Sequence, residues 1–245
     1  MARRGPERGS DMTTTKTYET REQMERALDA VDAMAVHWQR HGGGFVGDAA
    51  DEFCGLVDPA CHHEADPDGR ELELVSICFT EWLLFEKALG DGMTPLERFC
   101  ADRPAAMPER MWRALGEVAA SQFFSRFAIL SKDEISGVCS LEDVRTGERR
   151  EVWDPRLAAA DSWLEGTVGE RVARVGGAWL AVGQARLYDR AKPSESAQDG
   201  PGEVHPEDAE TLPGAMLRSY YLRLLRDVIG FSGRYSASAR IRGEA

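Results

Sequence analysis

The chain has 245 residues, 42% of them hydrophobic, and a formal net charge of −12. That is enough apolar material for one large domain or two small ones, and it contains no run of about 18 apolar residues to span a membrane. The five cysteines, Cys54, Cys61, Cys78, Cys100 and Cys139, are odd in number and scattered, which excludes a disulfide framework and fits a reducing cytoplasm.

The charge is shared unevenly. Residues 1–16 carry +2, 17–123 carry −12, 124–190 carry −1, 191–211 carry −5 and 212–245 carry +4. A strongly acidic half argues against wrapping nucleic acid with that half, and leaves the question open for the near-neutral middle and the basic tail.

The opening "MARRGPERGSDM" has basic residues without an apolar stretch behind them, unlike a secretory signal. Glu7-Arg8-Gly9 can be encoded by a purine-rich stretch resembling a ribosome-binding site just upstream of Met12. Met12 is therefore a candidate start, which the intact mass of the native protein tests. Residues 1–16 are expected to be disordered.

Thr20 to Gln23 reads as a capping box, followed by Met24, Leu28, Val31, Ala35 and Trp38 at helical spacing. This predicts one amphipathic helix to about His41, with Gly42 placed where a C′ glycine belongs. Gly42, Gly44 and Gly47 have the spacing G-x-G-x-x-G, but a dinucleotide site needs a strand before the glycines and a helix opening at them. Here a helix ends at them, so they read as a hinge. No cofactor site is expected.

A short helix over 46–57 follows, with Phe53 and Leu56 inward, and then the polar loop "DPACHHEADPDGR". From Glu71 to Leu89 the apolar residues nearly encircle a helix, which predicts a central, buried one. "GDG" at 90–92 stops it. Thr94, Pro95 and Glu97 then open another helix as N-cap, N1 and N3. Pro108 begins the next, with Met111, Trp112, Leu115 and Val118 on one stripe.

After Phe123 the period changes. Phe127 to Leu130 and Val138 to Val144 have strand character, with hairpins turning at Thr146-Gly147 and Gly176-Gly177. Gly166, Gly169 and Gly183 inside the strands read as bulges or bends of a small barrel. Residues 191–211 form an acidic linker. A last helix over about 215–229 carries Leu217, Tyr221, Leu224, Leu225 and Val228 on one side, and packs back on the body or binds a partner.

The fold expected is therefore α+β. A helical region (17–123) is followed by a small antiparallel barrel of SH3-like or OB-like kind (124–190), the linker (191–211), and a C-terminal helix with a basic tail (212–245).

Around "CFTEWLLFEKALGDGMTPLERF" (Cys78 to Phe99) the sequence resembles a group of bacterial proteins related to those with a SEC-C motif. The resemblance runs through "SRFAILSKDEISGVCSLEDVRTGERREV" and "GGAWLAVG", covering roughly residues 72–188. The SEC-C motif itself, a Cys-rich zinc knuckle associated with protein or ribosome contacts, is absent: no cysteine follows Cys139. The resemblance brings no catalytic residue and no zinc-dependent role.

Cys54, Cys61, His62 and His63 are the best metal candidates by chemistry, since thiolates and imidazoles suit zinc. Their C-x6-C-H-H spacing is not a standard one, and a buried cysteine beside a polar loop is the plainer reading, so no metal is expected. "EADPDGR" fails as a calcium loop because Val75 falls where a bidentate Glu belongs. Neither G-x-S-x-G nor H-E-x-x-H occurs. His37 beside Trp38 reads as a packing residue. Glu81, next to Trp82, is either a carboxyl with a raised pKa or a solvent-facing or arginine-paired residue, and the second is favoured because structural ion pairs are common.

In the barrel, Trp153, Trp163, Trp179 and Tyr188 lie among Arg145, Arg149, Arg150, Arg171, Arg174 and Arg186. Such a set can stack bases and hold phosphates. It can equally be a barrel core with acid-paired arginines, which near-zero local charge favours. The leading expectation is a cytoplasmic binding or adaptor module with a protein partner, and RNA second, through barrel or tail. The alternative is an enzyme with a site between helices and barrel, around Glu81 and the His62-His63 loop.

Overall fold

The computed structural model describes residues 9–161, 163, 165–189, 219–233 and 242–243. Helix α1 spans Gly9–His41, so it takes in residues 9–16 of the segment expected to be disordered, and Thr20 lies within it. Helix α2, Gly43–Val57, begins almost at once. The left-handed residue at the break is Gly43 (φ 49°) rather than Gly42. Gly42 is needed for a different reason: a Cβ there would lie 2.6 Å from the Trp38 carbonyl. Helix runs into helix at Gly42-Gly43, and Gly44 and Gly47 lie inside α2, so a helix opens at these glycines as well as ending before them.

Helix α3, Gly69–Phe85, is capped by Asp68, whose side chain accepts from the Arg70 N–H. It stops four residues before the predicted end at Leu89. Helix α4, Pro95–Ala101, opens with the expected reciprocal box between Thr94 and Glu97. Helix α5 covers Glu109–Ser121.

The barrel strands are β1 (Phe123–Asp133), β2 (Val138–Asp143), β3 (Arg149–Trp153), β4 (Thr167–Val175) and β5 (Ala178–Ala181). A short helix α6, Pro155–Ala159, stands between β3 and β4, and the sequence reading did not foresee it. Pairing runs β1-β2-β3-β5-β4 and back to β1, closing five strands on themselves. The barrel is mixed, not antiparallel as expected: β3 and β5 run parallel, with Val152 opposite Trp179 and Trp153 opposite Leu180. Closure demands this, because the last strand must lie against the end of the first meander, which runs the same way.

β1 serves both β4 and β2 by slipping register between Ile129 and Ser131. The register slip thus falls at Leu130; of the glycines read as bulges or bends, Gly166 does stand in a bend at positive φ (112°) before β4, while Gly169 keeps regular register. Strand β6 (Leu187–Asp189) pairs with the free edge of β4, and β7 (Arg242–Gly243) pairs with β6.

Helix α7, Tyr220–Ile229, is docked. Its Tyr221, Leu224, Leu225 and Val228 are buried with residues of α2, α3 and Phe124 of β1. A second core joins α1, α4 and α5 to one outer face of the barrel through Trp153, Ala173, Val175, Leu180 and Val182. A third fills the barrel interior, around Phe127, Leu141, Val152, Val168 and Val172. The linker 191–211 and most of the basic tail lie outside the described residues.

Candidate functional site

The residues with chemical potential sit in three places: a seam between helices and barrel, the barrel interior, and the loop after α2. In the seam, the side chain of Glu81 on α3 accepts from Arg171 Nε of β4 at 3.0 Å. It also accepts from the N–H groups of Gln184 (3.2 Å) and Ala185 (3.3 Å). Arg171 spends its other nitrogens on Gln122 and Glu86, each at 2.6 Å, and its guanidinium lies 4.9 Å from the centre of the Phe85 ring. Ser219, the N-cap of α7, donates to Glu86 at 2.7 Å. Burial pushes the Glu81 carboxyl up from its ordinary value, and Arg171 pulls it back. Glu81 is therefore paired with an arginine, but it is buried rather than solvent-facing, and its carboxyl is also raised, as the less favoured reading had it.

Inside the barrel, Asp154 caps α6, its Oδ1 accepting from the N–H groups of Arg156 and Leu157, both at 3.1 Å. Its Oδ2 accepts from Arg186 Nε at 2.7 Å. Burial alone would raise the Asp154 carboxyl, but Arg186 and the surrounding hydrogen bonds hold it below its ordinary value. Glu170 of β4 lies beside it, fully buried, as does Ser125 of β1, opposite Glu170 in the ladder. The sequence reading did not single out this cluster. The signal was present in β4, where Val168, Glu170 and Val172 alternate onto the interior face.

The loop places His63 Nε2 2.7 Å from Asp58 Oδ1, with its ring 4.4 Å from that of Phe231. His62 Nδ1 stands 3.9 Å from Cys54 Sγ, while Cys61 is buried. Burial, Asp51 and Asp58 push the Cys54 thiol up, away from the thiolate a metal requires. Among the described residues no group of three or more such ligands is arranged to hold a metal ion. The structure does not join this loop to Glu81: Glu81 pairs with Arg171, and His63 with Asp58.

Trp153, Trp163 and Tyr188 are buried, the last two stacked at 4.9 Å and 8°. Trp179 is half-covered by Arg150, whose guanidinium lies 5.0 Å from its ring centre. Arg149 pairs with Glu142, Arg150 with Glu148, and Arg186 with Asp154. The outer face of β2 and β3 presents Ser140, Glu142, Arg149 and Glu151.

Two surface features remain. The β1–β2 turn projects Ile135, 97% exposed, and Leu130 at the register slip of β1 is 44% exposed. Between α1 and α5 runs a groove of about 510 Å³ lined by Arg26, Arg110, Arg113, Glu22 and Glu117 over Ala114 and Val175. Two of its arginines already hold neighbouring acids, Arg26 with Glu22 and Arg113 with Glu109.

The chain matches no family model, no curated protein and no solved structure.

Proposed function

We propose that the protein is a binding module of the cytoplasm whose partner is another protein, contacted by the β1–β2 arm of the barrel. The strand order β1-β2-β3-β5-β4, the parallel closing pair and the helix between β3 and β4 support reading the barrel as OB-type. Barrels of that kind bind oligonucleotides and oligosaccharides on the face of strands 2 and 3 and on the β1–β2 and β4–β5 loops.

In this chain the β4–β5 turn is occupied, since the Gly176 N–H donates to Glu117 of α5 at 2.6 Å. The β2–β3 face has more acid than base, and the barrel's tryptophans are turned inward or covered. It lacks the basic track and stacking platform that single-stranded RNA uses.

The observation that carries the reading is Ile135. A large apolar side chain, 97% exposed at the ligand-binding loop of such a barrel, is suited to an apolar pocket on a protein. The test replaces Ile135 with a photo-crosslinking residue in the native host. A discrete adduct with one protein, lost when Leu130→Asp is added, is the expected result. Crosslinks to RNA alone, with salt-sensitive binding of single-stranded RNA by the pure protein, would overturn the proposal.

A further inference from the structure

Among the described residues, two buried acids and one buried base meet where the end of β3 faces β4 and the segment after β5. Asp154 and Glu170 are 0% and 1% exposed, and Arg186, 5% exposed, is the guanidinium beside them. Asp154 is fully supplied with donors: two backbone N–H groups on one oxygen and Arg186 on the other. Glu170 is not, for neither of its oxygens receives an N–H or O–H group. It stands within hydrogen-bonding reach of Asp154, and two buried carboxylates in contact repel unless a proton lies between them. A carboxyl with no donor to accept from is satisfied only by becoming a donor itself.

We propose that Glu170 and Asp154 hold one proton between them, Glu170 as the neutral acid that donates and Asp154 as the carboxylate that Arg186 neutralises. The trio is then electrically neutral inside the barrel. It is also a lock. Arg186 donates to the carbonyls of Gly183 (2.9 Å) and Gln184 (3.3 Å), so the trio pins the segment whose N–H groups hold Glu81. Ionising Glu170 sets a second buried carboxylate against Asp154, and the two repel with one guanidinium to offset both.

Most of the influences on Glu170 act in one direction. Asp154 from the end of β3 and Glu81 from α3 disfavour its ionisation, as does burial, which comes first; Arg186 alone opposes them. Cys139 of β2 faces the same acids, and burial with Asp154 and Glu170 pushes its thiol up to about 12. Ser125 of β1 is uncharged. Glu170 is thus held well above its ordinary value of 4.5. Its contribution to stability is complete below that value and is lost as the pH rises through the folded-state value.

The test follows thermal unfolding of the full chain between about pH 5 and pH 9, spanning the range above an ordinary glutamate, for the native protein and Glu170→Gln. The amide keeps the shape and an N–H donor but has no proton to lose. The native midpoint should fall as pH rises, with Glu170→Gln falling less and overtaking it on the alkaline side. Parallel profiles would overturn the proposal. Should the variant not fold, the assigned carboxyl-carbon NMR resonance of Glu170 in the native chain decides: the shift of a carboxylic acid at neutral pH supports the shared proton, and that of a carboxylate refutes it.

Discussion

Arg171 reaches Glu81 across ninety residues of sequence, and both side chains are 2% exposed where they meet. The pair joins the barrel wall to the buried helix. Removing the guanidinium leaves Glu81 and Glu86 without their cation in a dry seam. Arg171→Met should therefore cost about 3–5 kcal/mol in urea unfolding, as for other broken buried pairs. Arg171→Lys should also destabilise, because an ammonium cannot fork to Glu81, Glu86 and Gln122 at once. A lysine variant as stable as the native chain would show that the forked geometry contributes nothing.

Gly183 is the close approach that admits Glu81. A Cβ there would lie 2.5 Å from Glu81 Oε2 and 2.9 Å from its Cδ. Gly183→Ala displaces the carboxylate from the Gln184 and Ala185 N–H groups and should destabilise by about 1–3 kcal/mol. Gly55, in α2 with open space around it, is the control of opposite sign. Gly55→Ala should stabilise by about 0.5–1 kcal/mol. Equal effects at the two positions would contradict the packing described.

Ile135 touches solvent, so Ile135→Glu should leave folding stability within about 0.5 kcal/mol of native while abolishing capture of the partner. A large drop in the unfolding midpoint would mean that the side chain is covered in solution.

The thiols should separate by depth. Burial pushes Cys78 far up and, with Glu97, takes Cys100 to about 11, so neither offers appreciable thiolate at neutral pH. Alkylation followed by peptide mass analysis should find half-buried Cys54 modified first. Cys61, Cys78 and Cys139 should react only as denaturant unfolds the chain. Rapid labelling of native Cys78 would be incompatible with its position on α3.

What the sequence revealed was local. The Thr94-Pro95-Glu97 start of α4 needs only four residues to specify it, and the turns at Gly147 and Gly176-Gly177 need the positive φ those glycines adopt. An arginine partner for Glu81 could be anticipated only as one of two readings, beside solvent exposure, because structural ion pairs are common. Its partner could not be named, since nothing within α3 points to residue 171.

The parallel β3–β5 closure was missed for the same reason: both strands look alike in either direction, and only the distant pairing orients them. The end of α3 was set too late because Leu89 continues the apolar pattern, although its N–H goes instead to the Met93 carbonyl. Glu170 was passed over because the reading counted barrel charges without assigning them to faces of β4.

The distance in sequence between Glu81 and its donors also fixes an order of events during synthesis. The carboxylate leaves the ribosome before Arg171 and before the N–H groups of Gln184 and Ala185, which follow it by 103 and 104 residues. Until then α3 carries an acid that must stay in water, so the nascent helices cannot seat themselves around it. The N-terminal half is made first, yet its buried acid meets its full set of donors only once the chain has reached Ala185.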